Sequence, residues 1–91
     1  MIYEWDENKR LVNLEKHGLD IADADLVYED PKKITIQSNT ATEERWQDFS
    51  EIDGNLVVLT CVYTLRGEIV RFISFRYASR KERKVFYGTH S

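Results

Sequence analysis

The sequence contains only one cysteine, one proline and four glycines among its 91 residues. A single cysteine cannot form an intramolecular disulfide. Because Cys61 lies in the apolar run Leu56–Tyr63, we expect a buried, inert thiol rather than a nucleophile. There is also no CxxC pair, no HExxH motif and no acidic calcium-binding loop. The sequence therefore predicts no metal site and no cofactor.

Long apolar runs are missing as well. No stretch approaches the roughly 20 residues that a membrane-spanning helix needs, and the first residues lack the basic and apolar regions of a signal peptide. These absences predict a cytoplasmic protein. The chain has no repeat, linker or low-complexity tract, so we expect one domain covering residues 1–91. Its 42% hydrophobic content favours a folded domain over intrinsic disorder.

The charge is distributed unevenly along the chain. The net charge is −3, but residues 1–65 carry six basic and fourteen acidic side chains, whereas residues 66–91 carry seven basic and two acidic ones. Binding to a polyanion depends on the local field more than on the total charge. The C-terminal third is therefore a candidate surface for a nucleic acid, in spite of the acidic total.

Two helices are predicted in the N-terminal part. Asp6 is a suitable N-cap for the first helix, which carries Leu11 and Leu14 at helical spacing. The sequence Lys16-His17-Gly18 is typical of a helix C-terminus, because basic groups suit the helix dipole and glycine adopts the left-handed conformation. Asp20 can cap a second helix that stops before the only proline. The residues of this helix expected to face the core are Ile21, Ala22 and Leu26.

The remaining segments have the alternating pattern of β-strands. Leu56–Thr64 is apolar on both faces, which predicts the central strand of a sheet. Asp53-Gly54 (or Gly54-Asn55) and Arg66-Gly67 predict tight turns. Ser79 and Glu82 form a capping-box pattern for a short final helix that ends near Gly88. The other expected strands are Ile2–Trp5, a segment containing Ile34 and Ile36, Glu43–Ile52 and Glu68–Tyr77.

These elements predict an α+β fold with the order β-α-α-β-β-β-β-α. Consecutive strands joined by short turns must be antiparallel. We therefore expect a small antiparallel sheet with two N-terminal helices and a short C-terminal helix packed against a face of it.

Arginines in the last strand and the final helix are the main candidates for chemistry. In a regular strand, Arg76 shares a face with Ser74 and Phe72, and Arg71 lies on the other face. In the final helix, Arg80, Arg83 and Tyr87 form one stripe. Guanidinium groups bind phosphate through two parallel hydrogen bonds, and aromatic rings stack on bases. Charge alone nevertheless favours an ordinary solvated face over an RNA site.

His17 and the pair Glu43-Glu44 have two interpretations each. His17 is suited to general base catalysis near neutral pH, but its place beside Gly18 favours a role at the helix C-terminus. Glu43-Glu44 offers a carboxylate base or, equally, a charged strand edge. Ser74 has no partner motif for nucleophilic catalysis.

Several short motifs together resemble one family, the BrnT toxins of bacterial type II toxin–antitoxin systems. The likeness runs from Ile2 to Tyr87, and the order and spacing of the motifs are more specific than any one of them. The matching residues are Glu4-Trp5-Asp6, Lys9, Asn13, Lys16-His17-Gly18, Asp30-Pro31, Glu43-Glu44-Arg45-Trp46, Gly54, Thr64, Arg66, Arg71, Ile73-Ser74, Arg76, Glu82-Arg83 and Tyr87.

The resemblance implies a fold similar to RelE-type ribonucleases, RNA cleavage that halts translation, and neutralisation by a BrnA-type antitoxin. The sequence departs from the family pattern in two places. Asn39-Thr40 stands where relatives commonly have histidine and serine, and Phe75 stands where relatives often have alanine between the serine and the arginine.

Metal-free RNA cleavage needs a base for the 2′-hydroxyl, cations for the phosphorane and an acid for the leaving oxygen. Arg71 and Arg76 are predicted to stabilise the phosphorane, although a regular strand puts them on opposite faces unless a bulge intervenes. Tyr87 is expected to stack on a base or to transfer a proton. The candidates for the base are His17, Lys16 and Glu44. The residues expected to bind RNA are Arg45, Arg80, Lys81 and Arg83.

Two other functions remain open at this point. The basic face can serve a non-catalytic module that docks a nucleic acid or an antitoxin. Alternatively, exposed apolar surface can bind an antitoxin-like helix with no RNA affinity. The sequence alone leaves cleavage specificity and the identity of the base open.

Overall fold

A five-stranded sheet with helices on both faces forms the protein in the computed structural model, which describes residues 2–39, 43–52 and 57–90. This architecture confirms the predicted α+β class. The second predicted helix is divided into a short 3₁₀ helix and a four-residue α-helix. The strands are β1 (Ile2–Trp5), β2 (Ile34–Asn39), β3 (Glu44–Ile52), β4 (Val57–Arg66) and β5 (Ile69–Tyr77). The helices are α1 (Glu7–His17), the 3₁₀ helix Ile21–Asp23, α2 (Asp25–Tyr28) and α3 (Arg80–His90).

The strands lie in the order β1-β5-β4-β3-β2, with β4 at the centre as its apolar sequence predicted. Strands β2 to β5 are antiparallel to their neighbours, whereas β1 is parallel to β5. The sheet is therefore mixed, because the chain leaves β1 through helices rather than through a tight turn. Gly67 closes the turn between β4 and β5 with φ +61°, a conformation that favours glycine. The turn predicted at Asp53-Gly54 lies outside the described residues.

Strand β5 contains a β-bulge at Ile73. Tyr63 of β4 pairs with Phe72, but the preceding residue Val62 pairs with Ser74, so Ile73 is the extra residue. Beyond the bulge the side chains of β5 exchange faces. Phe72 and Phe75 are consequently buried in the same cluster.

This bulge corrects the faces predicted for the two arginines of β5. Arg71 pairs with Thr64 and Arg76 pairs with Thr60, two residues on the same face of β4. Arg71, Ser74 and Arg76 therefore share one face, and Phe72 does not lie beside Arg76. The sequence allowed the two arginines to share a face only if a bulge was present in β5.

The main core lies on the opposite face of the sheet, hereafter the core face. It is covered by the 3₁₀ helix and α2, which contribute Ile21, Ala24 and Val27. The prediction that Ile21 faces the core is confirmed. The prediction that Leu26 faces the core is wrong, because 60% of its surface is exposed. The buried sheet residues of this cluster are Leu59, Cys61, Tyr63, Val70, Phe72 and Phe75.

Helix α1 closes the edge of β5 beyond the end of β1. It begins at the N-cap Asp6, whose side chain accepts from Asn8 and Lys9, and it ends at Gly18 with φ +70°. Leu11 and Leu14 are exposed, and Asn13 is the buried residue of the helix.

The amide of Asn13 takes the place of a neighbouring strand for β5. Its Nδ2 donates to the carbonyl oxygen of Phe75 at 2.7 Å, and its Oδ1 accepts from the Phe75 N–H at 3.1 Å. A third hydrogen bond runs from Nδ2 to the carbonyl of Leu19 at 2.9 Å. These bonds satisfy backbone groups that a buried sheet edge would otherwise leave unpaired. They also fix α1 beside the bulge.

Two buried polar groups on the core face, Asp48 and Cys61, have surroundings that fit a structural role rather than a catalytic one. Asp48 is fully buried and is held by Lys33 at 2.7 Å, by Thr35 at 2.6 Å and by the Tyr63 hydroxyl at 3.0 Å. Burial raises the pKa of the Cys61 thiol, so it is protonated at neutral pH and unsuited to nucleophilic attack. No helix in the described ranges has the length and apolarity needed to cross a membrane.

Candidate active site

A cleft separates α1 from the bulged part of β5. Its volume is about 320 Å³. The lining side chains that bear on chemistry are Lys9, Lys16 and His17 from α1 and Ser74 from β5. The bulge opens this side of β5, and the two hydrogen bonds from Asn13 fix its distance from the helix. The two lysines of α1 and Ser74 of β5 therefore lie at one concave surface.

Lys9 and Lys16 form no ion pair with any residue that the structure describes. Both are exposed, and both line the same cleft. Lys16 follows Lys9 by seven positions in the helix, so their Cα atoms are about 10 Å apart along the axis. Unpaired ammonium groups at a concave surface provide a site for an anion.

Arg76 lies next to this cleft, on the face of the sheet that carries α3. Its Nη1 and Nη2 donate to the two carboxylate oxygens of Glu82, at 2.7 and 3.0 Å. The side chain is 29% exposed. The carboxylate of Glu82 and partial burial act in opposite directions on the pKa of Arg76, and the hydrogen bond prevails and raises it. Arg76 is thus held in one orientation; it does not line the cleft itself, but it lies near enough to His17 to act on the pKa of that residue.

The pKa of His17 is lowered from its ordinary value of 6.5. The largest cause is burial, followed by the positive charges of Lys16 and Arg76. Each of these disfavours the imidazolium form. His17 is therefore mainly neutral at pH 7, which is the form that accepts a proton. The influence of Arg76 also shows that these two predicted residues, 59 positions apart in the sequence, are close in space.

Arg71 shares the face of Arg76 but lies farther along the strand. Their partners Thr60 and Thr64 are four positions apart in β4, which places the Cα atoms about 13 Å apart. Its Nη1 donates to Glu4 of β1 at 2.9 Å. Arg71 is thus paired with Glu4 and lies well apart from Arg76 along the strand.

Helix α3 presents a second basic surface. The capping box predicted from the sequence is confirmed, since the Ser79 N–H donates to Glu82 at 2.8 Å and the Glu82 N–H donates to the Ser79 hydroxyl at 3.1 Å. Phe86 anchors the helix in a small cluster with Phe49 and Val58. A depression of about 450 Å³ is lined by Arg80, Arg83, Lys84 and Tyr87. Lys81 is exposed on the same helix but does not line this depression.

Tyr87 is not one of the residues that line the cleft beside α1. Its hydroxyl donates to Glu51 at 2.7 Å, and this hydrogen bond raises its pKa. The structure therefore groups Tyr87 with the basic stripe of α3 and keeps its proton engaged with a carboxylate.

The two candidate residues of β3, Arg45 and Glu44, lie on opposite faces of the sheet. Arg45 has the same parity as Gln47, so it lies on the face of α3, where its Nε donates to Glu43 at 3.2 Å. Glu44 has the parity of Asp48 and lies on the core face. Of the three candidate bases, the structure brings Lys16 and His17 to the cleft and leaves Glu44 on the other side of the sheet.

The two departures from the family pattern have different consequences. Phe75 is 2% exposed and buried on the core face, so its bulk does not enter the cleft. The side chain of Asn39 and the whole of Thr40 lie outside the described residues. Among the described residues, no group of three potential ligands is placed to hold a metal ion.

Sequence reasoning missed the roles of Lys9, Asn13 and Gln47. Lys9 and Asn13 share the stripe of α1 that ends near Lys16, so a helical projection would have grouped them. Gln47 gave no signal, because a polar residue on a strand is ordinary. Its Nε2 donates to Glu82 at 2.9 Å, a contact that only the tertiary structure creates.

Residues 5–82 match the family model described as the ribonuclease toxin BrnT of type II toxin–antitoxin systems. The matched range contains the last residue of β1, helices α1 and α2, strands β2 to β5 and the first three residues of α3. No curated protein shows significant similarity to the sequence.

Proposed function

Because the chain belongs to the BrnT family of ribonuclease toxins of type II toxin–antitoxin systems, we propose that it cleaves RNA in the cleft between α1 and β5 without a metal ion. The observation that carries this proposal is the meeting of His17, Lys9 and Lys16 in one cleft, with Arg76 held in a fixed orientation near enough to His17 to lower its pKa. These groups cover the charge and proton requirements of an attack by the 2′-hydroxyl.

The proposed reaction assigns one role each to His17, Arg76 and Lys16. His17 takes the proton of the 2′-hydroxyl, and the 2′-oxygen attacks phosphorus. Arg76 stabilises the negative phosphorane through its remaining N–H groups. The bond to the 5′-oxygen then breaks as Lys16 protonates that oxygen. The products are a 2′,3′-cyclic phosphate and a free 5′-hydroxyl.

Residues outside the cleft would bind the RNA on either side of the cleaved bond. Arg71 is placed for a neighbouring phosphate, and Arg45, Arg80, Lys81 and Arg83 provide further cations on the α3 face or along α3. Tyr87 is better suited to stacking on a base than to proton transfer, since its hydroxyl is held by Glu51. These contacts are expected to contribute affinity rather than chemistry.

Replacing both Arg80 and Arg83 with alanine should weaken RNA binding and make it less sensitive to salt. Each phosphate contact to single-stranded RNA contributes about 0.7 to the slope of log affinity against log salt concentration, so the slope should fall by about 1.4. Lys32→Ala is a matched control, because Lys32 is an exposed cation between α2 and β2. Fluorescence anisotropy at several salt concentrations measures both slopes. An unchanged slope in the double variant would remove α3 from the RNA-binding surface.

Cleavage of RNA by this toxin would halt translation, and a BrnA-type antitoxin would neutralise it. We propose that residues 1–91 act as one domain in the cytoplasm. Expression of the chain should stop incorporation of labelled amino acids, and co-expression of a BrnA-type antitoxin should restore it.

The purified protein should cleave RNA at the same rate with and without excess EDTA. The reason is that the proposed base, the proposed acid and the group that stabilises the phosphorane are all side chains of the protein. Gel analysis of a labelled RNA measures the rate. Binding of RNA without cleavage would support the non-catalytic module instead, and loss of cleavage in EDTA would contradict metal independence.

A further inference from the structure

Glu82 binds only part of the Arg76 guanidinium. A guanidinium has five N–H donors. Nη1 donates to Glu82 and, at 3.3 Å, to the carbonyl of Tyr77, and Nη2 donates once to Glu82. The Nε–H and one Nη2–H have no partner among the described residues. These two groups lie side by side, in the arrangement that binds two phosphate oxygens.

We infer that Glu82 is a positioning residue, which holds Arg76 so that its Nε–H and Nη2–H edge faces the phosphate to be cleaved. This inference rests on the proposed function of the cleft. It adds a residue that touches no substrate and acts through Arg76.

The carboxylate of Glu82 is itself fixed by three elements of the fold. It accepts from Gln47 of β3 at 2.9 Å, from the backbone of Ser79 at 2.8 Å and from Arg76 of β5. These partners, with Arg76 the strongest, lower its pKa to about 2, so Glu82 is ionised at neutral pH. The side chain is 23% exposed. A carboxylate held at this many points determines the direction of a long, flexible arginine.

The charge of Glu82 shows that its contribution is orientation rather than affinity. A carboxylate beside the phosphate-binding arginine repels RNA, so a surface selected only for binding would lack it. A group oriented in advance accelerates the chemical step instead, because the transition state then needs no rearrangement of the cation. If Glu82 orients Arg76, its loss lowers kcat and does not raise KM. If Glu82 contributed affinity for RNA, its loss would raise KM instead.

Glu82→Gln should lower kcat by roughly 10- to 100-fold, as expected for a misplaced catalytic group. KM should stay the same or fall, because a repulsive charge is removed. Glutamine can still accept the hydrogen bond from Ser79, so the capping box is retained. Ser79→Ala is the matched control: it removes the other half of the capping box without touching Arg76, and it should leave kcat unchanged.

The double variant Arg76→Ala/Glu82→Gln shows whether Glu82 acts through Arg76. If it does, Glu82→Gln causes no further loss in the Arg76→Ala background. Side-chain ¹⁵N NMR gives a readout that does not depend on activity. The Arg76 Nη groups should rotate slowly in the wild-type protein and fast in Glu82→Gln.

Three outcomes overturn the inference. Equal effects of Ser79→Ala and Glu82→Gln on kcat would show that Glu82 only stabilises α3. A normal kcat for Glu82→Gln, with Arg76→Ala inactive, would overturn the positioning role and leave the proposed function standing. Absence of cleavage by the wild-type protein would overturn both.

Discussion

Replacing Arg76 with alanine should reduce RNA cleavage by at least about 100-fold, the usual cost of removing one group that stabilises the charge of a transition state. Growth arrest should disappear with it. The physical reason is that Arg76 is the cation of β5 that lies beside the cleft and is held in a fixed orientation by Glu82. Rates of cleavage by equal amounts of purified, folded protein measure this effect.

Two further variants control for effects on folding. Arg76→Ala leaves Glu82 without its counter-ion, so its stability must be measured by thermal unfolding. Arg76→Lys keeps the charge but loses the planar pair of donors, and it should remain folded with most of the activity lost. Arg66→Ala removes an exposed arginine at the end of β4 and should behave as wild type. Full activity in a folded Arg76→Lys or Arg76→Ala protein would exclude Arg76 from the site.

Replacing His17 with glutamine should lower the rate by roughly 10²- to 10⁴-fold, which is the contribution of a general base. In the wild-type protein the rate should fall in acid with a midpoint below pH 6.5, because burial, Lys16 and Arg76 all lower the pKa of His17. Protonation below that midpoint removes the base. The variant should have lost this acid limb.

The pKa of His17 can also be measured directly by NMR titration. Arg76→Ala should raise it, since one of the positive charges that disfavour the imidazolium form is removed. The chain has one other histidine, His90, and a His90→Gln variant assigns the two signals. A pKa of His17 that does not respond to Arg76→Ala would contradict their proximity.

Local sequence rules predicted the elements of this fold well. The caps at Asp6 and Gly18, the capping box of Ser79 and Glu82, and the central position of β4 are confirmed. Each depends on residues that are close in sequence, or on a strand that is apolar on both faces. Such features are fixed by backbone geometry and by burial, and they are therefore visible in a single sequence.

The bulge and the position of α1 were beyond these rules. No residue around Ile73 indicates a bulge in the sequence, because the bulge arises from the register of β5 against β4. Leu11 and Leu14 suggested an apolar face for α1, yet the helix is docked through Asn13. That docking uses the part of the β5 edge that β1 leaves unpaired. This edge exists only in the assembled sheet, so the sequence of α1 does not indicate it.

The composition of the site could be predicted in part. Sequence patterns selected Arg76, His17 and Lys16, but they could not combine them, since α1 and β5 meet only in the folded protein. The same limit applies to Glu44, which the sequence offers as a base although the strand parity of β3 places it on the core face. Electrostatic reasoning from one sequence identifies charges, and the fold decides which of them act together.

The chemical nature of the RNA ends tests the account most directly. Wild-type protein should be incubated with RNA in EDTA, and the termini of the fragments identified by mass spectrometry. Attack by the 2′-hydroxyl, assisted by His17 and Arg76, predicts fragments with a 2′,3′-cyclic phosphate and a 5′-hydroxyl. Fragments with a 5′-phosphate and a free 3′-hydroxyl would contradict it, because water rather than the 2′-hydroxyl would then be the nucleophile.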